Sequence, residues 1–187
     1  MPTKIFLFYI VFLFLDFQVL LADEREKIIQ NLNKVNSIKF NFVQNSNNIS
    51  ENGICFLKFP KKLKCVYFDK NQKVLIINNK TLAISQEKYK KTYYYSNVGS
   101  PFEKILDKKK LVSILKTSKL KVDDKIIKLT SFDSHEQKLS IIFNKKNYTL
   151  LGWEAIDKFN NNISFFITII STNEKIDSTE FKIPTLN

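Results

Sequence analysis

The stretch GICFLKFPKKLKCVY, Gly53–Tyr67, decides the fold. Apolar residues alternate on both sides of a single proline, the pattern of two half-buried strands around a turn. A loop of Phe59, Pro60 and Lys61 sets Cys55 opposite Cys65 and Leu57 opposite Leu63. One face then holds Cys55, Leu57, Leu63, Cys65 and Tyr67. The other mixes Ile54, Phe56, Val66 and Phe68 with Lys58 and Lys64. A face as apolar as the first is either ordinary core or the lining of a pocket for an apolar ligand.

Upstream of this hairpin, Asp23 to Asn36 has the period of a helix. Asp23 and Glu26 form a capping box, and Ile28, Ile29, Leu32 and Val35 share one side. The period then drops to two, with Ile38, Phe40, Phe42 and Gln44 on one face. Downstream, Val74–Asn78 and Thr81–Ser85 form a second hairpin around Asn79-Lys80. The run KYKKTYYY, Lys88–Tyr95, could stack bases, but it reads better as a lysine-guarded edge strand.

Helical spacing returns in mid-chain. Ser100-Pro101-Phe102-Glu103 supplies an N-cap, a first-turn proline and an acid at the third position. Phe102, Ile105 and Leu106 are the apolar side of that short helix. Asp107 caps a second helix through Lys116, with Leu111, Ile114 and Leu115 as its stripe. Strands follow at Lys125–Ser131, Lys138–Asn144, Tyr148–Asp157 and Asn162–Ser171, with a last short piece near Phe181. Turns fall at Asn144–Asn147 and Phe159–Asn162. No strand–helix–strand alternation occurs, so the sheet is antiparallel. A long antiparallel sheet curls, and the two short helices can cover its inner face.

Residues 1–22 read as a cleaved signal peptide. Lys4 precedes the apolar run Ile5–Leu15, Asp16 interrupts it, and Ala22 offers a small residue for cleavage. A membrane anchor would need about 20 apolar residues without such a break. No cysteine stands directly after the segment, where Asp23 begins the mature chain and Cys55 and Cys65 lie far inside it, so lipid modification there is not expected. Residues 23–187 are then a single exported domain. Twelve of the seventeen phenylalanines lie in it, enough for a sizeable core. The net charge of +12 suits lysine solvation or an acidic protein partner, and export argues against nucleic acid. Cys55 and Cys65 are either a cross-strand disulfide, permitted in an exported compartment, or two small apolar fillers.

Chemistry is sparse. His135 stands alone between Asp133 and Glu136 in a polar turn, and the cysteines lie on apolar strands that raise thiol pKa. No metal, cofactor-phosphate or nucleophile motif is present, so neither enzyme activity nor a cofactor or metal is expected.

The residues that remain resemble a known family, the LolA-like periplasmic carriers of outer-membrane lipoproteins. The likeness begins at Phe40-Asn41-Phe42-Val43-Gln44 and continues through the Gly53–Tyr67 hairpin. It includes Ser100-Pro101-Phe102 and Leu150-Leu151-Gly152-Trp153-Glu154-Ala155-Ile156-Asp157, and closes at Phe181-Lys182-Ile183-Pro184. The resemblance implies an α+β, mainly β fold: an incomplete antiparallel β-barrel of about ten to eleven strands, closed by an N-terminal helix and a helical lid over a hydrophobic cavity. It implies a monomeric periplasmic chaperone that binds acylated lipoproteins by their acyl chains. Such a chaperone takes them from an inner-membrane ABC transporter and delivers them to an outer-membrane receptor. The cavity would be lined by Phe40, Phe42, Leu57, Phe59, Leu63, Cys65, Tyr67 and Trp153. The lid would present Phe102, Ile105, Leu106, Leu111, Ile114 and Leu115. A general periplasmic lipid- or glycolipid-binding protein with no delivery role is the alternative. The family often carries an arginine immediately before the turn proline, hydrogen-bonded to the lid. Phe59 stands there, so the expectation is a lid held by apolar contact.

Overall fold

The structure is a computed structural model that describes residues 24–47, 49–132, 138–156 and 161–184. The N-terminal segment read as a signal peptide, the capping residue Asp23, His135 and the first half of the turn expected at Phe159–Asn162 lie outside the described residues.

Helix α1 spans residues 24–34 and buries Ile28 and Ile29. Strands β1 (Ser37–Ser46), β2 (Ile49–Lys58), β3 (Lys62–Tyr67), β4 (Lys73–Asn78), β5 (Thr81–Gln86) and β6 (Lys91–Ser96) follow as a meander. Helices α2 (Pro101–Ile105) and α3 (Lys108–Thr117) then lead to β7 (Lys119–Val122), β8 (Ile126–Phe132), β9 (Lys138–Asn144), β10 (Leu150–Ile156) and β11 (Asn162–Thr172). All strands join in one antiparallel sheet in the order β6-β5-β4-β3-β2-β1-β11-β10-β9-β8-β7. Pairing of β1 with β11 welds the two meanders, while among the described residues β6 and β7 have no second partner, so the sheet does not close. The short strand β7 is absent from the sequence reading, because four residues between a helix and Asp123-Asp124 carry too little alternation.

The central hairpin has the expected register: Cys55 faces Cys65, and Leu57 faces Leu63. A disulfide joins the two cysteines, which resolves the alternative left open by the sequence. The pattern of the inner face continues across the sheet from Leu63 to Ile77 and Leu82, and from Cys65 to Leu75 and Ile84. Gly53 lies opposite both Phe42 and Tyr67. Without a side chain there, the two rings meet above the glycine at 4.9 Å in an edge-to-face contact.

The two lysines on the outer face of this hairpin have a structural use. Lys58 Nζ donates to the Ile176 carbonyl at 2.7 Å, and Lys64 pairs with Glu180 at 2.7 Å. They hold a C-terminal segment across the back of the sheet. The piece near Phe181, expected as a strand, is a 3-10 turn, Ser178–Phe181. Asp177 caps it by accepting from the Thr179 N–H, and local capping of this kind competes with strand pairing. Phe181 is fully buried behind β3 and β4.

Candidate functional site

The inner face is filled by a column of aromatic rings. Tyr67 meets Phe42 edge-on, Phe42 stacks on Phe165 at 4.8 Å, and Phe165 stacks on Trp153 at 4.4 Å. These residues sit on β3, β1, β11 and β10, so the column crosses the weld between the two meanders. Phe102 of α2 approaches Trp153 and Phe165 edge-on at 6.0 and 6.5 Å. The Tyr67 hydroxyl donates to Gln44 Oε1 at 3.1 Å, and Lys73 Nζ lies 3.8 Å from the centre of its ring. Burial pushes the Tyr67 phenol pKa upward, with Glu51 and Asp69 adding to the effect, so it stays protonated and donating.

Helices α2 and α3 cover this column. Ser100 Oγ accepts from the Glu103 N–H at 3.1 Å, and the Glu103 carboxylate accepts from the Gly99 N–H at 2.7 Å. Asp107 caps α3 by accepting from the Lys109 and Lys110 N–H groups. Ile105, Leu106, Leu111 and Leu115 are buried in the core. Val112 and Ile114 are both half-buried, and Val112 packs against the core. Helices this short are marginal alone, so docking must hold them.

The lid is also held by polar ties, contrary to the expectation of apolar contact alone. The Lys61 N–H donates to the Leu106 carbonyl at 2.8 Å, and Lys61 Nζ reaches Asp107 Oδ2 at 3.1 Å. Lys61 adopts φ 59°, which turns its N–H toward the lid side of the turn. At the far end of α3, Arg25 of α1 donates to the carbonyls of Leu115, Lys116 and Ser118. Lys108 Nζ reaches the Asn33 carbonyl and Asn36 Oδ1, each at 3.3 Å, and sits 5.2 Å from the Phe59 ring centre. The position before the proline therefore contributes a ring to a cation, while the residue after it supplies the hydrogen bonds.

These contacts set the local charge. Burial alone would raise the Asp107 carboxyl, but the Lys61 ammonium and the backbone donors outweigh it and hold the group below its ordinary value. The Lys110 ammonium, then the Gly99 N–H, do the same for Glu103. Burial lowers the Lys108 ammonium.

Beside the closed column lies an apolar pocket of about 260 Å³ between α1, the lid and the sheet. Leu32 of α1 and Val35 just after it form one wall of the pocket, and Ile105 and Leu111 form its lid wall. Ile38, Leu57, Phe59, Phe143, Leu150 and Ile169 form the rest of its apolar lining. Asn31, Lys34, Thr172 and Asn173 are among its polar residues. Its volume lies just below the roughly 300–1,000 Å³ of drug-sized ligand sites. It has room for one short hydrocarbon chain, not for several.

The residues singled out from the sequence thus divide. Leu57 and Phe59, with Ile105 and Leu111, line the pocket. Phe40, Phe42, Leu63, Cys65, Tyr67 and Trp153 lie in the packed core, joined by Phe102, Leu106 and Leu115. Phe165, Phe143 and Ile169 join the site beyond the residues expected from the sequence, although alternation in Asn162–Thr172 puts Phe165, Ile167 and Ile169 on one face. Lys61 and Arg25 carried no such signal. Their roles depend on which carbonyls the fold brings within reach. Among the described residues no cluster of His, Cys, Asp or Glu is placed to hold a metal ion.

A family model described as outer membrane lipoprotein carrier protein LolA matches residues 33–184. No curated protein matches the chain in sequence. Among solved structures, an uncharacterized conserved protein from Thermus thermophilus superposes with a TM-score of 0.51 at 7% identity. That match covers 87% of this chain and 94% of the other, and it is a likeness of fold. A LolA superfamily protein from Nitrosomonas europaea gives 0.46 at 9% identity, over 87% of this chain and 97% of its own. LprF from Mycobacterium bovis gives 0.46 at 10%, over 83% and 95%. Proteins of the matched family are periplasmic and non-enzymatic. The matched span runs from the last turn of α1 through every strand and both lid helices, and the chain belongs to the LolA family of outer membrane lipoprotein carrier proteins.

Proposed function

We propose that this protein is a monomeric periplasmic chaperone that shields the acyl chains of lipoproteins. It receives them from an inner-membrane ABC transporter and hands them to an outer-membrane receptor. The observation that carries this reading is an apolar pocket adjoining an apolar core, both roofed by helices that are tied down by a few polar contacts. Each buried methylene is worth about 0.8 kcal/mol, so an acyl chain needs a continuous apolar path and cannot be left in water between membranes. The pocket takes the first chain, and displacement of α2 and α3 exposes Leu63, Tyr67 and Trp153 for the rest. Family membership supports the cargo class.

The modest pocket also favours a second reading, a general carrier of single-chain lipid or glycolipid that needs no lid opening. Purification from the native compartment followed by mass spectrometry separates the two. Acylated proteins bound to the chain are expected. Free lipid as the sole companion overturns delivery and supports the second reading.

A further inference from the structure

We propose that the β6 edge of the sheet is a docking strand for an extended acidic segment of a partner protein, which adds antiparallel to it. In the pairing of β5 with β6, Tyr95 lies opposite Leu82 and Tyr93 opposite Ile84. The Asn97 N–H donates to the Lys80 carbonyl, back toward β5. By strand alternation the main-chain groups of Thr92, Tyr94 and Ser96 point the other way, to the outer edge. No strand among the described residues pairs with that edge.

Edges of this kind are ordinarily blunted by lysines, a bulge, a proline or an inward charge, and the lysine guard of this strand ends at Lys91. From Thr92 to Ser96 there is none of these, and the β5–β6 register has no shift. Instead Tyr93 and Tyr95 extend the inner apolar rows to the edge and stand 45% and 53% exposed. A strand laid beside them would continue those rows with its own alternate apolar residues.

Charge identifies the occupant. Lys88, Lys90 and Lys91 cluster at the start of β6, and no carboxylate occurs from Lys88 to Phe102. Antiparallel addition brings the C-terminal end of the incoming segment to these lysines, so that end is acidic. A second copy of this chain fits poorly, since each copy carries a net charge of +12. The docking needs no lipid, so its failure and the failure of the carrier reading are distinguishable.

The test uses the full chain and two synthetic peptides of alternating valine and threonine. One ends in glutamates and the other in lysines, and binding is read by fluorescence anisotropy in lipid-free buffer. The glutamate peptide is expected to bind about tenfold more tightly, and Lys90→Glu with Lys91→Glu should reverse the order. Thr92→Pro, which removes an outward donor at a position where an edge strand tolerates proline, should abolish binding of both. Equal affinity for the two peptides overturns the proposal, as does full binding by folded Thr92→Pro. Self-association through this edge in ultracentrifugation overturns the choice of occupant. If Thr92→Pro does not fold, the charge-reversal pair decides alone, because both lysines are exposed.

Discussion

The backbone N–H of Lys61 donates to the carbonyl of Leu106 at 2.8 Å, and it ties the proline turn to the end of the first lid helix. The Lys61 side chain meets Asp107 at the start of the next helix, so one residue holds both halves of the lid at their junction. A side-chain change leaves the main-chain bond and removes the ion pair, whose partners are only partly exposed. Pairs of this type are worth about 0–1 kcal/mol. Lys61→Met should therefore raise amide exchange across residues 106–115 by roughly two- to fivefold, with little change in the central strands. Asp107→Asn should do the same, and the double variant should add nothing further. Additive effects would show that the two side chains act separately.

Arg25 is the heavier tie. Its guanidinium satisfies three carbonyls at the C-terminal end of α3, where unpaired carbonyls and the helix dipole both favour a cation. Arg25→Ala should cost about 1–2 kcal/mol, read as a lower Tm and as faster exchange at residues 115–118. Loss of protection confined to α1, with α3 unchanged, would refute this linkage.

Acid should loosen the lid before the sheet. Asp107 and Glu103 have ordinary values of 3.8 and 4.5, and both are held lower in the closed lid. A depressed folded pKa contributes stability above the unfolded value and loses it as pH falls through the folded one. Exchange protection at residues 103–111, corrected for intrinsic rates, should thus fall below about pH 4 while β1 and β11 stay protected. Asp107→Asn combined with Glu103→Gln should flatten that response.

Filling the pocket tests the site without charging the core. Leu63→Glu would bury a carboxylate in a core position that is 1% exposed, so its failure would report on folding. Val35 is half-buried just after α1 and lines the pocket. Val35→Trp should keep the fold and reduce uptake of a single-chain fluorescent fatty acid at least severalfold. Unchanged uptake by the folded variant would move the first acyl chain elsewhere.

Gly53 is a packing requirement of the aromatic column. A Cβ there would meet the Val66 carbonyl and lie 2.7 Å from the Phe42 ring. Gly53→Ala should destabilise by about 1–3 kcal/mol and disturb the Phe42–Tyr67 contact, visible in the near-ultraviolet circular dichroism. A neutral effect on Tm would mean that β2 and β3 can part at that point without loss.

Local pattern determined the strand-and-helix order of this protein, apart from the short strand β7 and the piece at Phe181. The central hairpin register followed from alternation around Pro60, and the lid starts followed from Ser100-Pro101 and Asp107, because alternation and capping act over a few residues. The inner face was legible for the same reason, from Phe40 and Phe42 through Leu63 to Tyr67. Tertiary structure decided what those patterns leave open. It set the β1–β11 weld that brings Phe42 onto Phe165, and the disulfide between Cys55 and Cys65. It also turned the Phe181 piece into a strap held by Lys58 and Lys64. Above all it decided the lid ties. Lys61 and Arg25 are surface-type residues in the sequence, and only long-range folding brings the carbonyls of Leu106 and Leu115 within their reach.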